Sequence, residues 1–335
     1  MDNRIKNSRL IIERTTHLLR WVVLGSIVAC VDANAEKVKI LFQGDTQKII
    51  DQKPNDFITT MENVLTDRVT QDADFILQMG DIVESDQDNS DRPQQYAVAQ
   101  TGWRKLDGKI PYVLNIGNND NSAEFIQYFP LSHYNTWPSF VSNANDHRNV
   151  AHHFNAGGVD WLVISVRFNH GTEEIEWAEN LIFSHPNKKV IFISHAANSN
   201  GSEVSMLKQY ENVVFVLCGH TADSHILLTG NNGNKMGWVK TCHHSAVKDS
   251  YFCVAELDTS SGTADFRYYS PQYGKYWDES DAPYTASQPE DSPWQWSGFD
   301  FGGTTSSNGV QLASHNSGPK GSSQQQGLDR ETGNE

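Results

Sequence analysis

The chain has 335 residues, nine Trp and fifteen Phe, so it is long and apolar enough to fold around one large core or two small ones. Its formal net charge of −15 argues against binding to nucleic acid or anionic membranes, because like charges repel. The same charge does not exclude a small anionic substrate that is held through cations.

Residues 1–35 are typical of an export signal peptide. They combine a positively charged start, an apolar core at Trp21–Val31 and an Ala-x-Ala motif that ends at Ala35. Ile27–Cys30 is alternatively typical of a lipoprotein signal with a lipid anchor on Cys30. A third interpretation is an uncleaved anchor, although the apolar run is short for a membrane span. The sequence therefore predicts an exported protein, periplasmic or extracellular, with no membrane span in the mature chain.

Strand and helix patterns alternate between residues 38 and 218. Short apolar runs predict six strands, and apolar residues at helical spacing predict four helices between them. The strands are predicted at 38–43, Phe75–Met79, Lys109–Ile116, Val159–Val166, Lys189–Ser194 and Val213–Cys218. The helices are predicted at Asn55–Ala73, from Pro93 to Gly108, at Glu173–Phe183 and at Gly201–Asn212.

The pattern changes after residue 223, where strand-like runs are separated by short turns. Asn232-Gly233 and Ser261-Gly262 are turn sequences between such runs, so we expect antiparallel hairpins here. An alternating first part and an antiparallel last part together predict two sheets packed face to face, with helices on the outside.

The chain after residue 270 is predicted to lie outside the main domain, which we place at 36–270. Residues 271–302 are aromatic but have no regular pattern, and their Trp residues predict a cover for a sheet edge or, alternatively, a stacking surface for sugars or bases. Residues 303–335 are rich in Gly, Ser, Asn and Gln, so we expect a flexible low-complexity tail.

Cysteine usage does not predict a disulfide framework. Cys218 lies inside an apolar strand and is most simply a small core residue. Cys242 and Cys253 lie on neighbouring strand-like runs, so a disulfide between them and two free thiols both remain open.

Five of the predicted strands are followed by a potential metal ligand. In chain order these ligands are Asp45, Asp81, Asn118, His195 and His220. Because ligands of open α/β sheets bind at the carboxyl ends of the strands, we expect these side chains to converge. A buried carboxylate at a sheet rim is costly unless a cation pairs with it. The pattern therefore predicts a metal site.

The same residues belong to short motifs in a fixed order: GDTQ at 44–47, GDIVE at 80–84, GNND at 117–120, ISH at 193–195 and CGH at 218–220. This ordered set, over about residues 38–270, resembles that of the calcineurin-like metallophosphoesterases, and further stretches resemble an exported bacterial branch of that family. The resemblance implies an α/β fold, a four-layer α/β/β/α sandwich of two mixed sheets flanked by helices. It also implies an exported enzyme that hydrolyses phosphate mono- or diesters by metal-activated water.

The resemblance further implies two divalent ions at the strand ends, with Asp81 bridging them and Asp45 binding the first. Carboxylate, amide and imidazole ligands suit Mn, Fe or Zn. The metal ligands it implies are Asp45, Gln47, Asp81, Asn118, His195 and His220, and the catalytic residues are Asp45, Asp81 and Asn119.

Three positions depart from the family pattern. Gln47 and Asn119 each replace a usual histidine, and Ala222 replaces the second histidine of the last motif. Since Ala222 has no donor atom, the first site is expected to bind its ion weakly or to stay empty. Asn119 removes a group that would protonate the leaving group, so activated leaving groups are expected to be favoured. The alternative is a catalytically weakened relative that keeps one metal site and acts as a binding or scaffolding protein.

Overall fold

The computed structural model describes residues 37–84, 90–221, 223–242, 248–277 and 293–302. The predicted export segment with Cys30, position 222 and the low-complexity tail lie outside these residues. Within the described ranges, no helix combines the length and the apolar character that a membrane crossing needs.

Fourteen strands and seven α-helices form in the described part of the chain. The strands are β1 (Lys37–Gln43), β2 (Phe75–Gln78), β3 (Tyr112–Val113), β4 (Phe140–Asn143), β5 (Val150–Ala156), β6 (Val159–Val166), β7 (Lys189–Ser194), β8 (Val213–Cys218), β9 (Ser224–Thr229), β10 (Lys235–Lys240), β11 (Phe252–Asp258), β12 (Thr263–Ser270), β13 (Lys275–Tyr276) and β14 (Trp294–Ser297). The helices are α1 (Gln47–Gln52), α2 (Pro54–Val64), α3 (Arg92–Trp103), α4 (Ser122–Tyr128), α5 (Leu131–Tyr134), α6 (Thr172–Ser184) and α7 (Ser202–Leu207).

The strands form two seven-stranded mixed sheets. The first sheet has the order β13-β12-β11-β1-β2-β3, with β14 also paired to β12, and the second has the order β4-β5-β6-β7-β8-β10-β9. Neighbours among β1, β2 and β3 are parallel, as are neighbours among β6, β7, β8 and β10. The other pairs are antiparallel, including the predicted β9–β10 and β11–β12 hairpins.

Three apolar layers hold the sheets and helices together, because successive side chains of a strand point to opposite faces of the sheet. Phe42 of β1 points between the two sheets, where it joins Ile193 of β7 in a common cluster. Its neighbour Leu41 instead packs with Phe57 of α2 on the outer side of the first sheet. A third cluster joins the second sheet to α6 and α7. The predicted α/β/β/α sandwich is confirmed.

Several predicted elements are longer in the sequence pattern than in the structure. The predicted helix Gly201–Asn212 keeps only Ser202–Leu207. Two other elements end where a side chain forms a hydrogen bond with the backbone. The predicted helix Asn55–Ala73 stops at Val64, because the Thr70 hydroxyl donates to the Val64 carbonyl. The predicted strand Lys109–Ile116 keeps only Tyr112–Val113. Beyond it, the Asn115 backbone N–H donates to the Gln78 side chain and not to a strand.

The prediction of irregular structure over 271–302 is wrong at Lys275–Tyr276 and at Trp294–Ser297, which form β13 and β14 on the first sheet. The Trp294 ring stacks on Phe266 of that sheet, with ring centroids 4.9 Å apart, and on His225 of the second sheet at 4.1 Å. This strand closes the space between the two sheets, so the folded domain extends past the predicted boundary at 270. The Trp residues act as the predicted cover of a sheet edge.

The three cysteines of the described residues, Cys218, Cys242 and Cys253, are all free and buried. The disulfide considered between Cys242 and Cys253 therefore does not form. Cys253 lies on β11 in the first sheet, whereas Cys242 follows β10 of the second sheet.

Candidate metal centre

The two sheets bring their polar strand ends to one edge of the sandwich. Asp45 and Asp81 follow the parallel strands β1 and β2, and the Asp45 backbone N–H donates to the Gly80 carbonyl over 3.0 Å. His195 follows β7 of the opposite sheet, and the Gly219 N–H donates to its carbonyl over 2.9 Å. These backbone bonds fix the loops against one another before any ligand binds.

Asp45, Asp81 and His195 form the central cluster. One ligand atom from each lies within 4.8 Å of the others, and all three residues are buried. The His195 Nε2 atom is 3.4 Å from Asp81 Oδ1, which places both sheets in direct contact at this point. The convergence that the strand ends predict is therefore present for residues that are up to 150 positions apart in the chain.

Asn118 and His220 extend the cluster on one side. The Asn118 Oδ1 atom lies 3.0 Å from His195 Nε2 and 2.6 Å from His220 Nδ1. The His195 and His220 rings are 5.3 Å apart between centroids. These three side chains, together with Asp81, are the ligands that the family resemblance implies for the second ion.

Gln47 follows Asp45 by two residues and lies in the first turn of α1. Its side chain is buried, and its Oε1 atom is one of the buried polar atoms with no hydrogen-bond partner in the described residues. A buried amide oxygen without a partner is costly unless a donor or a cation reaches it. The role of Gln47 as a ligand of the first ion stays a prediction.

Asn119 is placed as a support of Asp81. Its backbone N–H donates to Asp81 Oδ1 and its side-chain amide donates to Oδ2, each over 2.8 Å. Both carboxylate oxygens are thereby held in one orientation. These contacts are those of a positioning residue, and the catalytic role of Asn119 stays a prediction.

Asp120 holds the loops that carry Asp81 and Asn118. Its carboxylate accepts the backbone N–H groups of Ile82 at 3.0 Å, Val83 at 3.1 Å and Gly117 at 2.8 Å. Burial, followed by the negative charge of Asp81, raises the pKa of Asp120 to about 6, against the lowering effect of the three N–H donors. Asp120 therefore ties the loop after β2 to the loop after β3.

Two glycines allow the backbone to approach the carboxylates closely. A Cβ atom on Gly117 would overlap the carboxylate and backbone nitrogen of Asp81, and one on Gly219 would overlap the Asp45 carboxylate. Any side chain at either position would displace a central carboxylate. The motif glycines that precede Asn118 and His220 are thus required by space.

The donor set fits divalent ions. The His195 Nδ1 atom is 2.8 Å from the Met79 carbonyl, to which its N–H donates. A neutral His195 then presents the lone pair of Nε2 to the oxygen atoms of Asn118 and Asp81, which are themselves acceptors. Acceptors that face acceptors repel unless a proton or a cation lies between them. Nitrogen and oxygen donors together suit Mn, Fe or Zn.

The electrostatics of the cluster favour a positive charge. Burial raises the pKa of Asp45 well above its usual value, with a further rise from Asp81, and His195 offsets this only in part. Burial lowers the pKa of His195, but the Asp81 and Asp45 carboxylates outweigh it and raise that pKa to about 9. Two buried carboxylates beside one imidazole therefore form a site that attracts a cation.

Phe168 is a site residue that the sequence reasoning missed. Its ring centroid lies 6.0 Å from that of His195 and 6.1 Å from that of His220, so it covers both imidazoles on one side. Phe168 follows β6, which pairs in parallel with β7. Its position after β6 could have identified it. Among the six strands predicted between residues 38 and 218, β6 is the one to which no site residue was assigned.

His170 lies two residues further along the same loop and joins a partly buried hydrogen-bond network. Its Nε2 atom is 2.6 Å from Glu203 Oε1, which also accepts the Ser194 hydroxyl at 2.8 Å. Ser194 directly precedes His195 in the chain. The hydrogen bond to Glu203, against the lowering effect of burial, raises the pKa of His170.

We expect the His170–Glu203 pair to stabilise the protein only at lower pH. Because the pKa of His170 is higher in the folded chain than in the unfolded one, its contribution is complete below about pH 6.5 and is lost as the pH rises through the folded value. Replacing His170 by Asn should lower the free energy of unfolding by about 1 kcal/mol near pH 6 and by less near pH 8. Urea denaturation at both pH values measures this difference.

The Glu203→Gln variant is the matched control for this pair. It should show the same loss of pH dependence, together with a constant loss from the weakened Ser194 bond. A difference between wild type and His170→Asn that does not change with pH would contradict the charge assignment.

Three known proteins are similar to parts of this chain. The protein YvnB of Bacillus subtilis (strain 168), itself uncharacterized, is 23% identical over 196 residues, which make up 54% of this chain and only 15% of that protein. A dimetal phosphatase from Danio rerio aligns with a TM-score of 0.48 and 12% identity, over 70% of this chain and 96% of that one. The purple acid phosphatase PPD1 from yellow lupin (Lupinus luteus) seeds aligns with a TM-score of 0.47 and 13% identity, over 73% and 53% of the two chains.

A family model, by contrast, matches this chain over a continuous stretch. The model of the calcineurin-like phosphoesterases matches residues 38–224, which include every strand end that carries a candidate ligand. More than half of the sequence lies within this match. The chain therefore belongs to the calcineurin-like phosphoesterase family.

Proposed function

We propose that the protein is an exported, metal-dependent phosphoesterase that hydrolyses small phosphate mono- or diesters. The observation that carries this proposal is the buried cluster of Asp45, Asp81 and His195, whose ligand atoms lie within 4.8 Å of one another. The proposed ligands of the first ion are Asp45, Gln47 and Asp81. The proposed ligands of the second ion are Asp81, Asn118, His195 and His220.

Two bound divalent ions supply a water molecule of lowered pKa and positive charge against the phosphate oxygens. The residues of the chain hold this chemistry in place. The carboxylate of Asp81 is fixed at both oxygens by Asn119, and Asp45 accepts the His220 backbone N–H over 3.1 Å. The Met79 carbonyl orients His195 so that Nε2 faces the cluster. Phe168 packs beside the two imidazoles and limits the directions in which they can turn.

The leaving group is proposed to depart without help from position 119. The side-chain N–H of Asn119 already donates to Asp81, and an amide has no proton to give at neutral pH. A general acid contributes about 10²–10⁴-fold to a rate, so esters of poorly acidic alcohols should react slowly. Aryl esters, whose leaving groups are stable as anions, should react well.

The test is hydrolysis of bis-p-nitrophenyl phosphate and p-nitrophenyl phosphate with added Mn²⁺. We expect turnover that chelation abolishes and that Mn²⁺ restores, with the ratio of the two rates identifying diesters or monoesters. Ethyl p-nitrophenyl phosphate against diethyl phosphate tests the dependence on the leaving group. Equal rates for these two esters would contradict the absence of a general acid.

A second candidate is a weakened relative that binds one ion and serves as a binding or scaffolding protein. It is favoured by the first site, where the proposed ligands Asp45, Gln47 and Asp81 include no imidazole. Folded protein that takes up one ion per chain and hydrolyses neither nitrophenyl ester would establish this candidate. Two ions per chain with turnover would exclude it.

A further inference from the structure

Gly80 touches all three residues of the central cluster. It directly precedes Asp81, and its carbonyl accepts the Asp45 backbone N–H over 3.0 Å. A Cβ atom on Gly80 would overlap the His195 ring, so that ring packs against the Gly80 backbone. The position of Gly80 therefore affects where all three side chains lie relative to one another.

The side-chain amide of Gln78 holds Gly80 in place. Gln78 is the last residue of β2 and is fully buried. Its Nε2 atom donates to the Gly80 carbonyl over 2.8 Å, and its Oε1 atom accepts the Gly80 N–H over 2.9 Å. The φ angle of Gly80 is 97°, a region in which glycine is stable but also flexible. Because a primary amide carries both a donor and an acceptor, one side chain can fix both polar groups of this backbone.

The Gln78 amide is also connected to the second sheet. Its Oε1 atom accepts the Asn115 backbone N–H over 3.2 Å. The Asn115 side-chain amide in turn donates to the Ser165 hydroxyl oxygen over 2.9 Å and to the Val166 carbonyl over 2.8 Å. Ser165 and Val166 belong to β6, and Asn115 and Ser165 are fully buried. Hydrogen bonds in such a low-dielectric interior are strong, so this network ties Gly80 to both sheets.

We infer that Gln78 is a positioning residue of the metal centre. By holding Gly80, its amide fixes the separation of the Asp45 and Asp81 carboxylates, and with it the spacing of the two proposed ions. This inference rests on the proposed function, because it requires that both carboxylates bind ions. The two amide atoms of Gln78 already bond to backbone groups, so Gln78 supports the ligands and is not one itself. Supporting groups of this kind orient ligands and tune metal affinity.

The test measures Mn²⁺ affinity of the whole protein by equilibrium dialysis with elemental analysis. Electron paramagnetic resonance then measures the exchange coupling between the bound Mn²⁺ ions, which depends steeply on their separation and on the group that bridges them. Gln78→Met keeps an unbranched side chain but removes its donor and its acceptor. The affinity for both ions should fall about 10–100-fold, and the coupling should change.

Asn212→Leu is the matched control. The Asn212 side chain is another buried amide bonded to the backbone, and its Nδ2 atom donates to the His185 and Lys188 carbonyls over 3.2 Å each. Asn212 precedes β8, whereas His220 follows that strand, so this amide stands at the end away from the cluster. Its variant loses comparable hydrogen bonds and should keep the wild-type affinity and coupling.

Four outcomes would overturn the inference. Wild-type affinity and coupling in Gln78→Met would overturn it alone, since the metal centre would still be present. Equal losses in Gln78→Met and Asn212→Leu would assign the effect to lowered stability and not to the position of Gly80. Wild-type protein that takes up one ion has no spacing for Gln78 to set. Wild-type protein that takes up no ion would overturn the proposed function as well.

Melting curves of the metal-free variants show whether each one folds. If Gln78→Met does not fold, Gln78→Glu is measured at pH 8. Its carboxylate keeps an acceptor for the Gly80 and Asn115 N–H groups but places a second acceptor against the Gly80 carbonyl. The coupling is the measurement for this variant, because its added negative charge can itself raise the affinity. We expect an altered coupling, and an unchanged one would overturn the inference.

Discussion

Replacing Asp81 by Asn is expected to lower the turnover of bis-p-nitrophenyl phosphate by at least about a thousandfold. Two causes act together. The substitution removes the negative charge that is proposed to be shared between both ions, a loss of several kcal/mol of transition-state stabilisation. Both oxygens of Asp81 accept N–H groups of Asn119. Asparagine replaces one of these oxygens by an NH₂ group, which would face an N–H donor and repel it. Elemental analysis should find less than one ion per chain.

Asp74→Asn is the matched control for this substitution. Asp74 precedes β2, whereas Asp81 follows it, so the two carboxylates stand at opposite ends of one strand. Asp74 accepts the Lys39 backbone N–H over 2.8 Å and has no contact with the cluster. Its variant should keep full activity and metal content. Activity that survives in Asp81→Asn would exclude the proposed metal centre as the source of turnover.

Replacing Asp120 by Ala is expected to lower the free energy of unfolding by about 3–5 kcal/mol. The carboxylate accepts three backbone N–H groups in a buried position, and alanine leaves all three without an acceptor. Each buried donor that loses its partner costs about 1–3 kcal/mol. Urea denaturation of the metal-free protein measures the change without a contribution from bound ions.

Asp258→Ala is the control, because Asp258 makes the same kind of bond in an exposed turn. Its carboxylate accepts the backbone N–H groups of Ser260 and Ser261 at 3.1 and 2.9 Å. Water can replace it there, so the loss should be about 1 kcal/mol or less. Equal losses for the two variants would show that burial does not set the contribution of Asp120.

The sandwich was predictable because its signals are local and repeated. Apolar runs identify the strands, and the polar residue after each run marks the carboxyl edge of a sheet. Asp45, Asp81 and His195 were therefore located by position alone. Their mutual distances were not predictable, because these depend on how two separate sheets pack face to face.

The supporting residues were harder to predict because their partners are distant in the chain. Asn119 bonds Asp81 from 38 positions away, and the His220 backbone N–H bonds Asp45 from 175 positions away. Nothing in the local pattern of either residue identifies its partner. The prediction missed strand β14 for a related reason. WQWS alternates aromatic and polar residues, but the run has only four residues and forms a strand by pairing with β12.

Three of the proposed ligands have a left-handed backbone. The φ angles are 55° at Asp45, 55° at Asp81 and 78° at His220, a region that costs non-glycine residues about 1–3 kcal/mol each. Glycine at these positions would remove that cost, and the chain instead carries two aspartates and a histidine. The free-energy cost of these backbone conformations is therefore met on folding, before any ion binds. Binding of an ion would then require little rearrangement of these ligands. The chain has a lower conformational stability than glycine would give it at these positions, and in return the site is preorganised.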